Sequence, residues 1–254
     1  MWHNKKVSVV LTSYNEKDSI RETIDGFFKT GVVDEVVVVD NNAEPGSIEE
    51  VRKTRARLVF EKKQGHGHAL QKGMREAAGD YVILCEGDGT FNPADVYKFL
   101  SYGDEFPVVL GTRTNTSLID PGTGMFYLRR IADVLEAKLI EYLFWTDTLT
   151  DVGCTYKLLR REVIKNLEPK WIKGDSHFVT EITLHVASRN IPFVEIPVAF
   201  RKRTGKSAVT GKFSDVAKWG VKLLVFILVF WVKMLLEKIG RKKNYDCKFK
   251  LQNL

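Results

Sequence analysis

Short apolar runs alternate with segments of helical periodicity along residues 1–110, and this alternation restricts the fold more than any other feature. The runs have strand length and lie at residues 7–11, 36–39, 58–60, 81–85 and 108–110. Strands alternating with helices predict parallel βαβ units. Because 254 residues suffice for one large domain, we predict an α/β fold. Its Rossmann-like, mostly parallel sheet is flanked by helices, and its first half is expected to bind a nucleotide.

Two carboxylates follow the apolar run at residues 81–85. Glu86 and Asp88 are separated by Gly87, which has no side chain to obstruct a nucleotide. Ligands of open α/β sheets bind at the carboxyl ends of the strands, and a carboxylate pair there suits a hard divalent cation that also holds a phosphate. The alternative is a strand-end turn with solvated acids. The accompanying motifs favour a Mg²⁺ or Mn²⁺ site at Glu86 and Asp88.

The chain is basic, with a formal net charge of +7, and the excess is concentrated near its end. From Arg201 onward, only Asp215, Glu237 and Asp246 accompany many lysines and arginines. Such a cationic end favours anionic partners, including phosphates and acidic lipid headgroups. No nucleic-acid-binding motif accompanies the charge, so we expect no nucleic-acid partner.

Three widely separated cysteines favour a reducing compartment. Residues 1–6 lead directly into the first predicted strand, without the apolar region of a signal peptide. We therefore expect the protein on the cytoplasmic side of a membrane, for the reasons given next.

Residues 223–232 form a continuous apolar run between Lys222 and Lys233. A membrane-spanning helix needs about 20 apolar residues, so this run is short. At about 100° per residue, Lys218, Lys222, Lys233 and Glu237 share one arc of a helix. The polar stripe is incomplete, because Val225, Phe226 and Val229 lie in the same arc. This pattern favours a helix lying in a membrane interface with its lysines extended toward the headgroups.

The basic cluster at residues 241–243 adds attraction to acidic headgroups. Two alternatives remain for this helix, a buried terminal helix and a true transmembrane span. We divide the chain into a catalytic domain at residues 1–212 and an interface helix with a basic tail at residues 213–254. The expected attachment is peripheral or monotopic.

Five motifs occur in a particular order along the chain. They are Thr-Ser-Tyr-Asn-Glu at 12–16, Val-Val-Asp at 38–40, Gly-x-Gly-x-Ala at 65–69, Glu-Gly-Asp at 86–88, and Arg-Lys-Arg-Thr-Gly-Lys-Ser at 201–207. In this order and spacing the chain resembles family-2 glycosyltransferases of GT-A fold, over roughly residues 5–212. Within that family it is most similar to the dolichol-phosphate mannose synthase group, which acts on polyprenyl phosphates.

The resemblance implies a nucleotide-binding set. Thr12, Tyr14 and Glu16 match the family's first-strand loop, which holds the nucleoside, and Asp40 matches the acid that contacts the base or ribose. A carboxylate can accept hydrogen bonds from such donors. The alternative for Asp40 is an Asx turn at the strand end.

The glycine motif at residues 65–69 contains two histidines, His66 and His68. The rest of a metal-ligand set is missing from the sequence around them. We therefore expect two solvated loop histidines, and the motif itself is either part of the nucleotide site or a tight helix entry.

The resemblance also implies phosphate-binding residues. Glu86 and Asp88 match the family's metal pair, although the family pattern usually begins with Asp, so Asp88 is the firmer assignment. Arg113 matches an arginine near the phosphates, and Arg129 or Arg130 matches another. The alternative for that last pair is a role as surface arginines of a helix.

The segment at residues 201–207 matches the loop that closes over the pyrophosphate and receives the acceptor phosphate. Its candidate residues are Arg201, Arg203 and Lys206; arginine suits phosphate because it stays charged and binds in a bidentate way. Ala208 stands where the family usually has lysine, and Lys206 or Lys212 is the candidate substitute. A solvated basic loop is the alternative.

The implied reaction is inverting transfer of a sugar from a GDP- or UDP-sugar to a polyprenyl phosphate. A phosphate oxygen is already ionised, so the reaction needs little base catalysis. A saccharide acceptor, the first alternative, would need a general base. Asp151 and Asp175 are candidates for it, whereas Glu181 matches a glutamate tied to loop and helix structure. The second alternative is a non-catalytic relative that binds nucleotide sugar.

Overall fold

The computed structural model describes residues 1–123, 127–204 and 213–251. Within them, the side chains of residues 127–129, 213–217, 219, 238 and 240–251 are not described. The described strands form one sheet of seven. They are β1 (Val7–Ser13), β2 (Glu35–Asp40), β3 (Arg57–Phe60), β4 (Tyr81–Glu86), β5 (Val108–Thr112), β6 (Lys157–Arg160) and β7 (Phe193–Pro197).

Helices connect these strands, and the last helix follows β7. They are α1 (Ile20–Lys29), α2 (Ser47–Arg52), α3 (His66–Glu76), α4 (Val96–Gly103), α5 (Tyr127–Phe144), α6 (Arg161–Leu167), α7 (Phe178–Ser188) and α8 (Phe213–Leu251). In α1, the buried residues Ile20, Ile24 and Phe27 recur at helical spacing and cover the sheet. The central strands are buried on both faces, which explains why they read as continuous apolar runs rather than alternating ones.

The strand order is β3-β2-β1-β4-β6-β5-β7. All neighbouring strands are parallel except for β6, which is antiparallel to both β4 and β5. The segment before β6 lies at the carboxyl ends of its neighbours, because Asp151 binds Arg113 beyond β5 and Thr155 binds Glu86 at the end of β4. A strand that starts at that edge has to run back through the sheet. The predicted mostly parallel α/β fold is confirmed.

Two apolar layers cover the two faces of the sheet. One layer contains buried side chains of α1, α2 and α4, and the other contains those of α3, α5, α6, α7 and α8. Leu223, Ile227 and Phe230 of α8 belong to the second layer. Core contacts therefore extend beyond residue 212, while the functional division of the chain at that point stays a prediction.

Helix α8 has a buried face and an exposed face, and both carry apolar side chains. Its outer side carries large exposed side chains, including Val225 and Val229, which are 52% and 60% exposed. Thus the alternative of a buried terminal helix describes only the inner face. Over the described residues, each helix falls short of the apolar length that crossing a bilayer requires.

Candidate active site

The carboxyl ends of β2, β1 and β4 lie side by side and bring three of the sequence motifs together. Ser13 is aligned with Asp40 in the β1–β2 register, and Thr12 with Glu86 in the β1–β4 register. Because these strands are parallel, the loops that follow them emerge at one edge of the sheet. The predicted nucleotide and metal residues therefore share one edge.

Asp88 is the most enclosed acid of this edge, with 2% exposure. Its Oδ1 accepts hydrogen bonds from the backbone N of Thr90 at 3.0 Å and from Thr90 Oγ1 at 2.6 Å. Gly89, with φ +76°, supplies the left-handed turn between them. Burial and the nearby charge of Glu86 raise the pKa of Asp88 to about 6, although Arg203 lowers it.

Glu86 ends β4 and is oriented by Thr155, whose Oγ1 donates to Glu86 Oε1 at 2.7 Å. Gly87, between the two acids, packs against α1: an added Cβ would lie 2.4 Å from Ile20 Cδ1. A larger residue at position 87 would therefore clash with Ile20. The contact of Gly87 with the nucleotide stays a prediction.

Arg203 connects Asp88 with Glu16. Its Nη1 lies 3.1 Å from Asp88 Oδ2, and its Nη2 donates to Glu16 Oε1 at 2.9 Å. The other oxygen of Glu16 accepts from the backbone N of Tyr14. Burial raises the pKa of Glu16, and the bonds from Tyr14 and Arg203 oppose that shift. Glu16, predicted to hold the nucleoside, therefore contacts the arginine of the basic segment.

Residues 200–204, here called the strap, lie across the loop that carries Asp88. The backbone N of Arg201 donates to Thr90 O at 2.7 Å, and the N of Thr204 lies 3.4 Å from Asp88 O. Phe200 packs against Phe91 with ring centroids 5.4 Å apart. Arg203 thus lies beside Glu16 and Asp88, and the phosphate roles of Arg201 and Arg203 stay predictions. Lys206 and Lys212 lie outside the described residues.

Asp40 ends β2, and its Oδ1 accepts from the backbone N of Ala43 at 2.9 Å. The Asx turn considered as an alternative is therefore present, and the nucleoside contact of Asp40 stays a prediction. Tyr14, which follows β1, is 43% exposed, and its contact with the nucleoside stays a prediction.

Asn41 is a structural residue of this edge that the sequence argument missed. Its Nδ2 donates to Glu61 O at 2.9 Å and to Lys63 O at 2.8 Å, and its Oδ1 accepts from Gly65 N at 2.8 Å. It joins the end of β2 to the entry of α3. An Asn directly after a strand-end Asp was the available signal, since Asn side chains often bond to nearby backbone.

The expectation of solvated loop histidines is wrong for His66. This residue begins α3, and its Nε2 is inaccessible to solvent and without a hydrogen-bond partner among the described residues. Burial lowers the pKa of His66 to about 4. The charge of Asp88 acts against this shift, and the charge of Arg203 adds to it. The ring is therefore neutral near pH 7. His68, by contrast, is half-buried against Gly174.

Arg113 lies beyond β5 in a buried ion pair with Asp151. Its Nε and Nη2 donate to the two carboxylate oxygens at 2.8 and 2.9 Å. Although burial opposes ionisation, Arg113 holds the pKa of Asp151 below its ordinary value. Asp151 is thus a poor general base, and the predicted phosphate contact of Arg113 would be left to Nη1.

The remaining candidates are placed on α5 and α7. Arg130 lies in the first turn of α5 and is half-buried, and its phosphate role stays a prediction, while the side chain of Arg129 lies outside the described residues. Glu181 accepts from the backbone N of Ile172 and of Lys173, both at 2.7 Å, which agrees with a structural role. Asp175 is bonded to His177 and is exposed.

The residues fit a divalent metal held partly by substrate. Among the described residues, no three His, Cys, Asp or Glu side chains cluster closely enough to form a complete protein site. Mg²⁺ is commonly held by one or two carboxylates together with substrate phosphates. The guanidinium already placed on Asp88 shows that this carboxylate faces a position where a cation is accommodated.

The mostly parallel sheet, with a carboxylate pair at its ligand edge, has the GT-A fold. The solved structure of glucosyl-3-phosphoglycerate synthase from Mycobacterium tuberculosis, in complex with Mn²⁺, UDP and phosphoglyceric acid, is similar with a TM-score of 0.70. The similarity covers 90% of this chain and 79% of that one at 16% identity, and it shows the shared fold.

The sequence profile of the family described as Glycosyl transferase family 2 matches residues 8–168. The chain therefore belongs to glycosyltransferase family 2. It is 26% identical to a dolichyl-phosphate hexose transferase of Haloferax volcanii, over 79% of this chain and 85% of that one. It is 24% identical to a dolichol-phosphate mannosyltransferase of Saccharomyces cerevisiae, over 88% of this chain and 92% of that one.

Proposed function

We propose that the protein transfers a hexose from a GDP- or UDP-sugar to a polyprenyl phosphate, with inversion at the anomeric carbon. The observation that carries this proposal is the convergence of Glu86, Asp88 and Arg203 at the carboxyl ends of β1 and β4. Acids for a metal and arginine for phosphate are the groups that a departing nucleoside diphosphate requires. The names of the two relatives support the polyprenyl-phosphate acceptor.

The donor is bound by the edge formed by β1, β2 and β4. Tyr14 and Asp40 contact the nucleoside, while Glu86 and Asp88 hold Mg²⁺ or Mn²⁺. A bound metal neutralises charge that develops on the leaving diphosphate. Arg201, whose side chain is exposed on the strap, provides a further positive charge for phosphate oxygens.

The acceptor is the nucleophile, and its ionised phosphate needs no proton removed. The main tasks of the chain are therefore to orient the two substrates and to stabilise the leaving group. This chemistry is consistent with Asp151, whose two oxygens are bound to Arg113 and are not available to a hydroxyl acceptor. A saccharide acceptor would require a different base.

We further propose that the protein reaches its lipid acceptor by lying on the cytoplasmic face of a membrane. The outer face of α8 has exposed apolar side chains that fall within one arc, at about 100° per residue. They are Val221, Leu224, Val225, Leu228, Val229, Val232, Leu235, Leu236 and Ile239. Exposed Lys218 lies within this arc near one edge, and exposed Lys222 and Lys233 flank that same edge, where they can reach anionic headgroups.

A screen of acceptors tests the proposal. Purified protein is incubated with labelled GDP- and UDP-hexoses, Mn²⁺ and either a short polyprenyl phosphate or a panel of oligosaccharides. We expect the label to be transferred only when polyprenyl phosphate is the acceptor, and the labelled product to partition into the organic phase. Transfer to saccharides instead would support the glycan-extending alternative, and nucleotide binding without turnover would support the non-catalytic one.

A further inference from the structure

Arg203 is bound by two acids that are both far from it in the sequence. Glu16 lies 187 residues before it and Asp88 follows β4, yet each accepts a different nitrogen of the same guanidinium. The three side chains are sheltered, with exposed fractions of 9% for Glu16, 2% for Asp88 and 25% for Arg203. Such a sheltered contact is screened much less by salt than a surface ion pair.

The arginine contacts the carboxylate oxygen that remains open to a metal. Asp88 Oδ1 is occupied by Thr90, which leaves Oδ2 for a cation, and Oδ2 is the atom that faces Arg203. The strap is fastened to the same loop by its backbone, through Arg201 and Thr204. Arg203 is therefore placed on Asp88 by the fold rather than by a chance orientation of a long side chain.

We propose that Arg203 holds the cation position at Asp88 until a divalent metal takes it, and that Glu16 is the positioning residue which retains Arg203 afterwards. This inference rests on the metal role of Asp88 in the proposed function. Nη1 lies 3.1 Å from Oδ2, so a metal at this oxygen would be repelled by the guanidinium charge, and the proposal is that Nη1 moves away when the metal binds. Arg203 then keeps its bond through Nη2 to Glu16 and stays beside the site.

The exchange has a consequence for metal affinity. Part of the free energy of metal binding goes into separating Arg203 from Asp88, so the resident arginine weakens metal binding in the absence of nucleotide. Glu16 limits this cost, since it offers Arg203 a second carboxylate. Loss of Arg203 should therefore strengthen metal binding. Loss of the Glu16 charge should weaken metal binding, because Arg203 then has Asp88 as its only carboxylate partner at the site.

The test measures binding of Mn²⁺ alone by electron paramagnetic resonance, without nucleotide or acceptor. Arg203→Gln should bind Mn²⁺ roughly five- to tenfold more tightly than the wild-type protein, as expected for loss of one sheltered charged contact. Arg203→Lys keeps the charge but lacks the two-nitrogen fork, and an intermediate affinity is expected. Thermal melts check that each variant is folded.

Lys202→Gln is the matched control, since it removes one positive charge from the neighbouring exposed position of the strap. The Mn²⁺ affinity of Lys202→Gln should equal that of the wild type. If Lys202→Gln gains as much affinity as Arg203→Gln does, the gain comes from the general loss of positive charge and not from the contact between Arg203 and Asp88. Asp88→Asn added to Arg203→Gln should abolish the gain. If Arg203→Gln itself binds no more tightly than the wild type, the inference is wrong.

The role of Glu16 is tested by a double-mutant cycle. Glu16→Gln should weaken Mn²⁺ binding in the wild-type background and have a smaller effect when Arg203 is Gln. Equal effects in both backgrounds would show that Glu16 does not act through Arg203. If neither the wild type nor any variant binds Mn²⁺ even after UDP or GDP is added, the metal role in the proposed function falls. Equal binding by all of them in the absence of nucleotide contradicts only the exchange.

Discussion

The guanidinium of Arg113 donates to both carboxylate oxygens of Asp151, and the two side chains are only 7% and 1% exposed. The backbone N of Arg113 also donates to Asp151 Oδ2 at 3.0 Å. Arg113 lies over the ring of Phe200 at 5.3 Å, so the pair supports the start of the strap. An arginine and an acid that sequence reasoning assigned to separate catalytic tasks thus form one structural unit.

Breaking this pair should destabilise the protein strongly. Asp151→Asn leaves the Arg113 charge buried without its partner, and such a change typically costs about 3–5 kcal/mol in the free energy of unfolding. Denaturant unfolding measures it. Lys138→Gln, which breaks the exposed pair with Glu141, is the control and should cost no more than about 1 kcal/mol. Equal losses for the two variants would contradict the structural role.

The same pair determines a pH dependence. Although burial alone would raise it, the Arg113 contact holds the pKa of Asp151 below the ordinary value of 3.8. The stabilisation is therefore complete above pH 3.8 and is lost only as the pH falls through the lower pKa of the folded state. Between pH 5 and 8, the difference in unfolding free energy between wild type and Asp151→Asn should stay constant with respect to this group.

Asp88→Asn should lower turnover by at least about a hundredfold, as for loss of one strong electrostatic stabiliser. The side chain amide still accepts from Thr90 through its oxygen, so the fold should survive, as a thermal melt can check. Steady-state assays at saturating Mn²⁺ measure the change. Near-normal turnover by the folded variant would contradict the metal assignment.

Asp40→Asn and Asp40→Ala should separate turn formation from nucleotide binding. Asn keeps an oxygen acceptor for the N–H of Ala43 but removes the charge, whereas Ala removes both. Each should weaken nucleoside diphosphate binding by ~1–3 kcal/mol, because nucleoside donors lose their acceptor. Calorimetry gives the affinities. His68→Ala is the comparison and should change little; unchanged affinity in both Asp40 variants would restrict this residue to its turn.

Membrane attachment should depend on the outer face of α8. Val225→Gln with Val229→Gln removes two exposed apolar groups and leaves the buried Leu223 and Ile227 in place, so unfolding should change little. Sedimentation with vesicles containing acidic lipids should show binding at least about tenfold weaker, since each lost insertion costs on the order of 1 kcal/mol.

Two comparisons complete that experiment. Tyr102→Gln, on α4 at the other face of the sheet and 45% exposed, should leave vesicle binding unchanged. Salt should weaken wild-type binding, because headgroup attraction is screened within about 8–10 Å at moderate ionic strength. Binding that is unaffected by the α8 changes would mean that this face has another partner.

The sequence was sufficient to predict the strands that make the ligand edge. Runs rich in valine between helical segments give the parallel sheet directly, and polar residues at the end of each run mark its carboxyl edge. The sequence pattern does not determine the antiparallel direction of β6, because that follows from where the preceding segment is held by Arg113 and Glu86.

Side-chain pairing was the part that the sequence could not provide. The Arg203–Glu16 contact joins residues that are 187 positions apart in the sequence, and a local sequence pattern cannot predict such a contact. The burial of His66 likewise depends on how α3 packs at the site rather than on its own loop. Residue types at the edge were thus predictable, whereas their partners required the folded chain.

The most direct measurement of the central claim is the chemical identity of the product. Protein, GDP- or UDP-hexose, Mn²⁺ and a short polyprenyl phosphate are incubated, and the lipid fraction is examined by proton and phosphorus nuclear magnetic resonance. The account predicts a hexosyl phosphodiester whose anomeric configuration is inverted relative to the donor, formed by the wild type and not by Asp88→Asn. A lipid fraction without hexosyl phosphodiester, or a product with retained configuration, would contradict it.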